Sequence, residues 1–235
     1  MYKRIEIIGI IPARGGSKGI PRKNIVDLGG YPLIAWSIIR AKKSKFIDRV
    51  ILSSDDDEII KIAKQFGCEV PFTRPEQFAS DESSSIEVVL HALERLNFIS
   101  TNQYFVLLQP TSPFRTTETI DRAIEFSIDF KYPYVISVSE LDKSPYHIFI
   151  EKENNLLEPV YNMDTRYTRR QDLPTTVVSN GALYISKASY FKKIKSFKPE
   201  TIRYYKMEKK ESIDIDTLQD LECAREIVNR NNLRP

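Results

Sequence analysis

Apolar and polar positions in this chain follow two alternating rhythms. Short β-branched or apolar runs at 5–11, Arg49–Ser53, Tyr104–Leu108 and Tyr134–Ser139 read as strands. Between them, apolar residues recur at helical spacing: from Pro32 to Ala41, from Ser54 to Gly67, from a capping loop at 81–85 to about Leu96, onward from Thr117, and over Leu218–Val228. This alternation predicts βα units and a mostly parallel sheet flanked by helices, an α/β fold. Pro32 suits a first helical turn, and Ser54 or Asp55 can cap a helix whose acidic first turn answers the helix dipole. That placement accounts for Asp55, Asp56 and Asp57 without a metal. Glu69–Phe72 reads as a short further strand, Asn180-Gly181 as a turn opening a strand over Ala182–Ile185, and the tail after Val228 as frayed.

The rhythm loosens over 140–178, where apolar residues alternate among asparagines and aromatics with no helical period. We expect a hairpin arm there, inserted in one domain spanning 1–235. Alternating apolar residues with no core beneath them predict burial against a second copy of the chain, a homodimer.

Composition changes this picture little. Lysine and arginine total 35 against 32 acids, a net charge of +3, so the footprint of a nucleic-acid binder is missing. Cys68 and Cys223 are the only cysteines, and two histidines are too few for a zinc site. Both thiols are expected to be buried and reduced. The opening apolar run breaks at Pro12 and Arg14, which predicts neither a cleaved signal nor a membrane span, and hence a cytoplasmic protein.

The chemistry begins at IIPARGGSKGIPRKN, Ile10–Asn24, between the first strand and the first helix. Gly15, Gly16 and Gly19 let backbone N–H groups converge on one spot, and Arg14, Lys18, Arg22 and Lys23 add positive charge. The lysine precedes the last glycine, so this is no Walker A loop, and adjacent glycines rule out G-x-G-x-x-G. We read a triphosphate cradle. Gln109 falls at the carboxyl end of the best central strand, where open α/β sheets bind ligands. Arg115 suits either a phosphate contact or a local surface pair. Asp214 and Asp216 are spaced to aim two carboxylates at one place, a hard-oxygen pair suited to Mg²⁺ completed by water and phosphate.

Six blocks in order resemble one family: the glycine-rich loop, RPEQFASDESSS (Arg74–Ser85), LLQPTSPFR (Leu107–Arg115), RRQDLP (Arg169–Pro174), SNGALYI (Ser179–Ile185) and SIDIDT (Ser212–Thr217). Together they resemble the CMP-N-acylneuraminate synthetases, including those for legionaminic acid, over nearly the whole chain. The resemblance implies a Rossmann-like nucleotidyltransferase fold with a protruding dimerisation arm. It further implies transfer of CMP from CTP to the anomeric hydroxyl of an acidic nine-carbon 2-keto sugar, with Mg²⁺ as cofactor.

By that resemblance Arg14 and Lys18 hold the β- and γ-phosphates, and Lys23 lies near the α-phosphate. Ala13, Gly15, Gly16, Asn24, Arg74, Ser84 and Ser85 contact the nucleotide, with Ser83 an alternative among the serines. Gln109, His147, Arg170, Asn180 and Tyr184 face the sugar, Arg170 pairing its carboxylate with Arg166 and Arg169 as rivals. Asp214 and Asp216 hold the metal. His147 stands where some relatives carry lysine, and Val178-Ser179 where many carry Arg-Pro; both departures lie on the sugar side. The competing readings are a legionaminate or other nonulosonate or Kdo enzyme, a sugar-1-phosphate nucleotidyltransferase, and a non-catalytic nucleotide-binding module.

Overall fold

The computed structural model describes residues 2–80, 82–98, 100, 102–141, 144–161 and 173–235. In chain order, β1 (Glu6–Pro12) is followed by the short pair β2 (Asp27–Leu28) and β3 (Tyr31–Pro32), then α1 (Leu33–Lys42), β4 (Arg49–Ser53) and α2 (Asp57–Gln65). Next come α3 (Ser85–Arg95), β5 (Gln103–Leu107), α4 (Thr117–Asp129) and β6 (Tyr134–Glu140). The hairpin β7 (Phe149–Glu151) and β8 (Leu157–Pro159) precedes β9 (Val177–Lys187), α5 (Ala188–Ile194), β10 (Arg203–Lys206) and α6 (Leu218–Asn231).

The main sheet has the order β10-β6-β9-β5-β1-β4. β1 pairs parallel with β4 and β5, and β10 pairs parallel with β6, while β9 runs antiparallel to both neighbours. The mostly parallel α/β fold is therefore present. After β4 the chain crosses to the other side of β1 to form β5, so strand order reverses between β1 and β5. Ligands bind at such a switch point, beyond the carboxyl ends of the strands.

Helices cover both faces of the sheet, which is why β1 reads as an unbroken apolar run. Its pleat sends Ile7 and Ile11 into a cluster with Ile34, Ile38, Ile59 and Ile124 from α1, α2 and α4. Ile8 and Ile10 point the other way, onto Val89, Leu93 and Phe191 from α3 and α5. A third cluster packs Ile215, Leu221 and Val228 against Leu28, Leu33 and Trp36. Ile215 is fully buried, so its insertion anchors the acidic segment ahead of α6.

Several sequence expectations are corrected. Glu69–Phe72 forms no strand beyond a single bridge from Glu69 to Ile51, because Pro71 has no N–H to extend the ladder. Asn180-Gly181 opens no strand; it lies inside β9, where the register against β6 shifts between Ile136 and Val138. Asp56, not Ser54 or Asp55, caps α2 by accepting from the Ile59 N–H at 2.9 Å. The last residues are docked: the Leu233 N–H reaches the Val228 carbonyl, and Lys43 donates to the Pro235 carbonyl at 3.0 Å. Cys68 is buried but Cys223 is exposed, on the outer face of α6. The β7–β8 hairpin forms a sheet of its own, with Phe149, Ile150, Leu156 and Leu157 exposed. Among the described residues, no helix is long and apolar enough to cross a membrane.

Candidate active site

The glycine-rich loop leaves β1 at the carboxyl edge of the sheet and is tied down where β4 ends. The Ala13 N–H donates to the Ser53 carbonyl at 3.0 Å, the Gly15 N–H to Asp55 Oδ1 at 3.3 Å, and Asn24 Nδ2 to the Arg14 carbonyl at 2.9 Å. A Cβ on Gly15 would meet Asp56 Oδ2 at 2.6 Å, so only glycine fits that approach. Arg22, expected among the cradle cations, is turned away. In the left-handed region at φ 55°, it pairs with Asp56 through both terminal nitrogens and with Glu58 Oε2 at 2.5 Å. The acidic first turn of α2 captures it, and the capture clamps the loop's far end.

This clamp gives a pH-dependent stability. The Arg22 guanidinium holds the Asp56 carboxyl below the usual carboxylate range. A depressed folded pKa stabilises above the unfolded value and loses that effect as pH falls through the folded one. Asp56→Asn keeps a capping oxygen but loses the pair, so it should cost about 1 kcal/mol at pH 7. Thermal melts should show the difference from wild type closing in acid below the ordinary aspartate range.

Loop and strand ends enclose a cleft of about 510 Å³. Arg14, Lys18, Lys23 and Asn24 line one wall; Arg74, Ser83 and Ser85 line another; Gln109, Thr111 and Asp216 close it. The cleft thus gathers residues singled out in the sequence from four separate stretches. A somewhat larger depression of about 580 Å³, walled by Arg40, Lys45, Arg122 and Glu125, shares no residue with it. It contains neither glycine-rich loop nor acid pair, so the chemistry belongs in the smaller cleft.

Arg74 is buried at the cleft's base, where Nη2 donates to the Ser53 carbonyl at 3.0 Å and Asp55 lies 3.6 Å away. Burial lowers its pKa, and Asp55 offsets part of that. Its Nε and the Ser53 Oγ, both buried, have no hydrogen-bond partner among the described residues. Ser84 is engaged elsewhere: it caps α3 in a reciprocal box with Glu87, leaving Ser83 and Ser85 to face the cleft.

Opposite stand the two acids. Lys23 Nζ meets Asp216 Oδ1 at 2.9 Å, closing the cleft across 193 residues of sequence. Asp216 is not the cap of α6; Thr217 is, in a box with Asp220. Asp214 is half-buried behind it and accepts from Ser112 Oγ at 3.4 Å. Burial pushes its carboxyl pKa up, a hydrogen bond from Thr111 pulls it down, and the Asp216 charge adds to the rise. Among the described residues no three His, Cys, Asp or Glu cluster as a metal cage. One or two carboxylates beside a basic, glycine-rich loop still fit Mg²⁺, which keeps several waters and takes substrate phosphates as ligands.

Gly19 passes directly over this corner, and a Cβ there would collide with the main-chain oxygen of Asp216. Gly19→Ala must push the loop off the acid segment. We expect it to raise the KM for CTP, the nucleotide that the sequence resemblance implies, roughly tenfold with little change in melting temperature, since a displacement of about 1 Å can cost up to a hundredfold. Steady-state kinetics at varied CTP checks this.

The remaining expectations are distributed elsewhere. Tyr184 packs on Phe197, ring centroids 4.9 Å apart, and His147 is exposed in a turn before β7. Neither lines the cleft, nor do Asp214, Asn180, Ala13, Gly15 and Gly16. Arg166, Arg169 and Arg170 fall outside the described residues. Arg115 is neither a phosphate contact nor a surface pair. It is fully buried, donating to the carbonyls of Gln109 at 2.8 Å and Ala182 at 3.1 Å and to Ser37 Oγ at 2.5 Å. Sequence reasoning missed Ser17, Phe78, Ser80 and Thr111, all of which line the cleft. Thr111 lies two residues beyond Gln109, so the same strand-end argument could have found it.

A sequence model described as cytidylyltransferase matches residues 8–233. The chain belongs to the cytidylyltransferase family. It is 37% identical over 229 residues to pseudaminic acid cytidylyltransferase of Campylobacter jejuni, covering 95% of this chain and 96% of that one. It is 34% identical to the CMP-N,N'-diacetyllegionaminic acid synthase of Legionella pneumophila, with coverage of 97% and 98%. It is equally identical to the N-acylneuraminate cytidylyltransferase of Escherichia coli O18:K1:H7, covering 97% of this chain but 54% of that protein. Among solved structures, a CMP:2-keto-3-deoxy-manno-octonic acid synthetase complexed with CTP has the same fold, with TM-score 0.73 over 96% of this chain and 99% of that one at 16% identity. In this cytidylyltransferase, then, the basic loop and Asp216 face each other across one cleft at the switch point of the sheet.

Proposed function

We propose that this cytidylyltransferase transfers CMP from CTP to the anomeric hydroxyl of an acidic nine-carbon 2-keto sugar, releasing pyrophosphate. The observation that carries the reading is the convergence, in one cleft, of the loop cations, the buried Arg74 and Asp216, with Asp214 two residues along the chain from it. CTP lies across the loop with its β- and γ-phosphates toward Arg14 and Lys18, its α-phosphate near Lys23, and its base and ribose toward Asn24, Arg74 and Ser85. The anomeric oxygen attacks the α-phosphorus in line; that P–O bond forms as the bond to the β-phosphate oxygen breaks and pyrophosphate departs with the electron pair. Asp214 and Asp216 would hold Mg²⁺, which supplies charge neutralisation on the phosphate oxygens. Most of the acceleration then comes from positioning and fixed charge.

The acceptor enters from the β5–β9 side, where Gln109 lines the cleft, and the sequence resemblance gives Arg170 the pairing with its carboxylate. His147 and Tyr184 belong to that outer side. The exposed apolar residues of the β7–β8 hairpin support a homodimer in which this arm packs on a second copy. CTP as donor agrees with a cytoplasmic setting.

The relatives are named for three different acceptors at nearly equal identity, so overall identity does not choose among them. The test is pyrophosphate release with CTP and Mg²⁺, offering N-acetylneuraminic, diacetyllegionaminic and pseudaminic acids and Kdo in parallel. Turnover with one nine-carbon acid names the substrate. Turnover with Kdo alone, or with none while CTP still binds, overturns the proposed acceptor class.

A further inference from the structure

Asp214 is carried by a segment that one side-chain amide helps to hold in place. Asn180, in the irregular part of β9, accepts at Oδ1 from Ser137 Oγ at 2.5 Å and the Ala182 N–H at 3.2 Å. Its Nδ2 donates to Ser212 Oγ at 2.8 Å and Met207 Sδ at 3.4 Å. The partners fix the amide's orientation. The Ala182 N–H can only donate, and Ser212 spends its own hydroxyl proton on the Glu208 carbonyl at 2.8 Å, so toward Asn180 it only accepts. An asparagine amide offers two lone pairs and two N–H groups, and this one has all of them engaged inside the protein.

Ser212 precedes Asp214 by two residues. On the other side of the acid, the Ile215 N–H donates to the Thr111 carbonyl at 2.9 Å. Asp214 is therefore strung between two fixed points, Asn180 through Ser212 and the Gln109–Thr111 turn through Ile215. Next to Asn180, Gly181 sits at φ 70° with its Cβ position 3.2 Å from Gln109 Oε1, so the same irregularity touches both anchors of the cleft's far wall. Neither Asn180 nor Ser212 lines the cleft.

We infer that Asn180 is a positioning residue for Asp214: through Ser212 it sets where that carboxylate stands, and divalent-cation binding depends on it. This rests on the reading of Asp214 as a cation ligand. It assigns Asn180 to the metal side of the reaction in place of the sugar contact implied by family resemblance.

Mn²⁺ serves as the probe, its binding to the protein–CTP complex followed by paramagnetic resonance, alongside acceptor KM and melting temperature. Asn180→Ala, Ser212→Ala and the double variant are compared with wild type. Ser212→Ala removes one oxygen and keeps the fold even if Asn180→Ala proves unstable. Each single variant should weaken Mn²⁺ about tenfold, the low end for residues that orient metal ligands. The double should lose little more, and acceptor KM should stay within about twofold. Wild-type Mn²⁺ affinity in Ser212→Ala, or a raised acceptor KM with unchanged Mn²⁺ affinity in Asn180→Ala, overturns the inference. Wild type itself binding no Mn²⁺ with CTP present would instead overturn the cation reading of Asp214, a failure visible without any variant.

Discussion

Asp214→Asn is expected to cut turnover about a thousandfold while CTP still binds and the protein melts no lower than wild type. The activity loss follows from removing the more buried carboxylate of a pair that would hold a cation on the reacting phosphates; single electrostatic contributors of this kind are worth roughly 10²–10³ in rate. In the proposed binding mode CTP retains Arg14, Lys18 and Arg74, which do not depend on the acid. The stability expectation has the opposite sign. Burial raises the Asp214 pKa, so its charged form is disfavoured in the folded protein. A group of that kind stabilises fully below its unfolded pKa and loses the effect as pH rises through the folded value. At pH 7 the ionised carboxylate is therefore a burden, and asparagine, which can still accept from Ser112, relieves it. Pyrophosphate release, calorimetric CTP binding and melting at pH 7 measure all three quantities. Unchanged turnover would remove Asp214 from the chemistry; a large fall in melting temperature would make it structural.

A carboxylate kept against stability is the part of the site that spacing alone could suggest. The acid pair stood out because residues two apart in an extended segment aim their side chains the same way, and burial of Ile215 between them is what anchors that segment. The glycine-rich loop was legible for a similar reason: a basic, glycine-dense stretch straight after a strand buried on both faces has few structural explanations. What escaped depends on residues far apart in sequence. Arg22 looked like one more phosphate cation, and only the approach of Asp56 and Glu58, more than thirty positions away, turns it into a clamp. Asn180-Gly181 carries a turn signal, but β9 pairs with β6 both before it, from Val177 to Ser179, and after it, from Tyr184 to Ser186, and that ladder absorbs the turn as an irregularity within the strand. β10 passed unnoticed because an edge strand with Tyr204 and Lys206 exposed has no apolar face to announce it, and seven-residue α5 is too short for a helical period.

Arg115 is the plainest case of information that only packing supplies, and its replacement should have the largest effect on stability. Arg115→Met is expected to destabilise by about 3 kcal/mol. The guanidinium holds the carbonyls of Gln109 and Ala182 and the Ser37 hydroxyl together beneath the cleft. Methionine fills most of the volume but leaves those buried acceptors without a strong donor. Against that loss stands a gain, because no carboxylate touches the guanidinium in the described structure and burial pushes its pKa down to about 9. A buried charge of this kind costs stability, so the net loss is smaller than three hydrogen bonds to a charged group would suggest. For a chain of this size 3 kcal/mol corresponds to roughly 6–12 °C in melting temperature. The pH dependence separates the two contributions. With a folded pKa depressed to about 9, wild type carries the cost of the charge at neutral pH and sheds it as pH rises through that value. The gap between wild type and Arg115→Met should therefore widen from pH 8 to pH 10, whereas a constant gap would mean that the guanidinium stays charged and the loss is hydrogen bonding alone. Because the Gln109 carbonyl belongs to the turn that anchors Asp214 through Thr111, the surviving folded fraction should also turn over more slowly. Chemical denaturation at both pH values, with activity measured on the folded fraction, tests the whole argument.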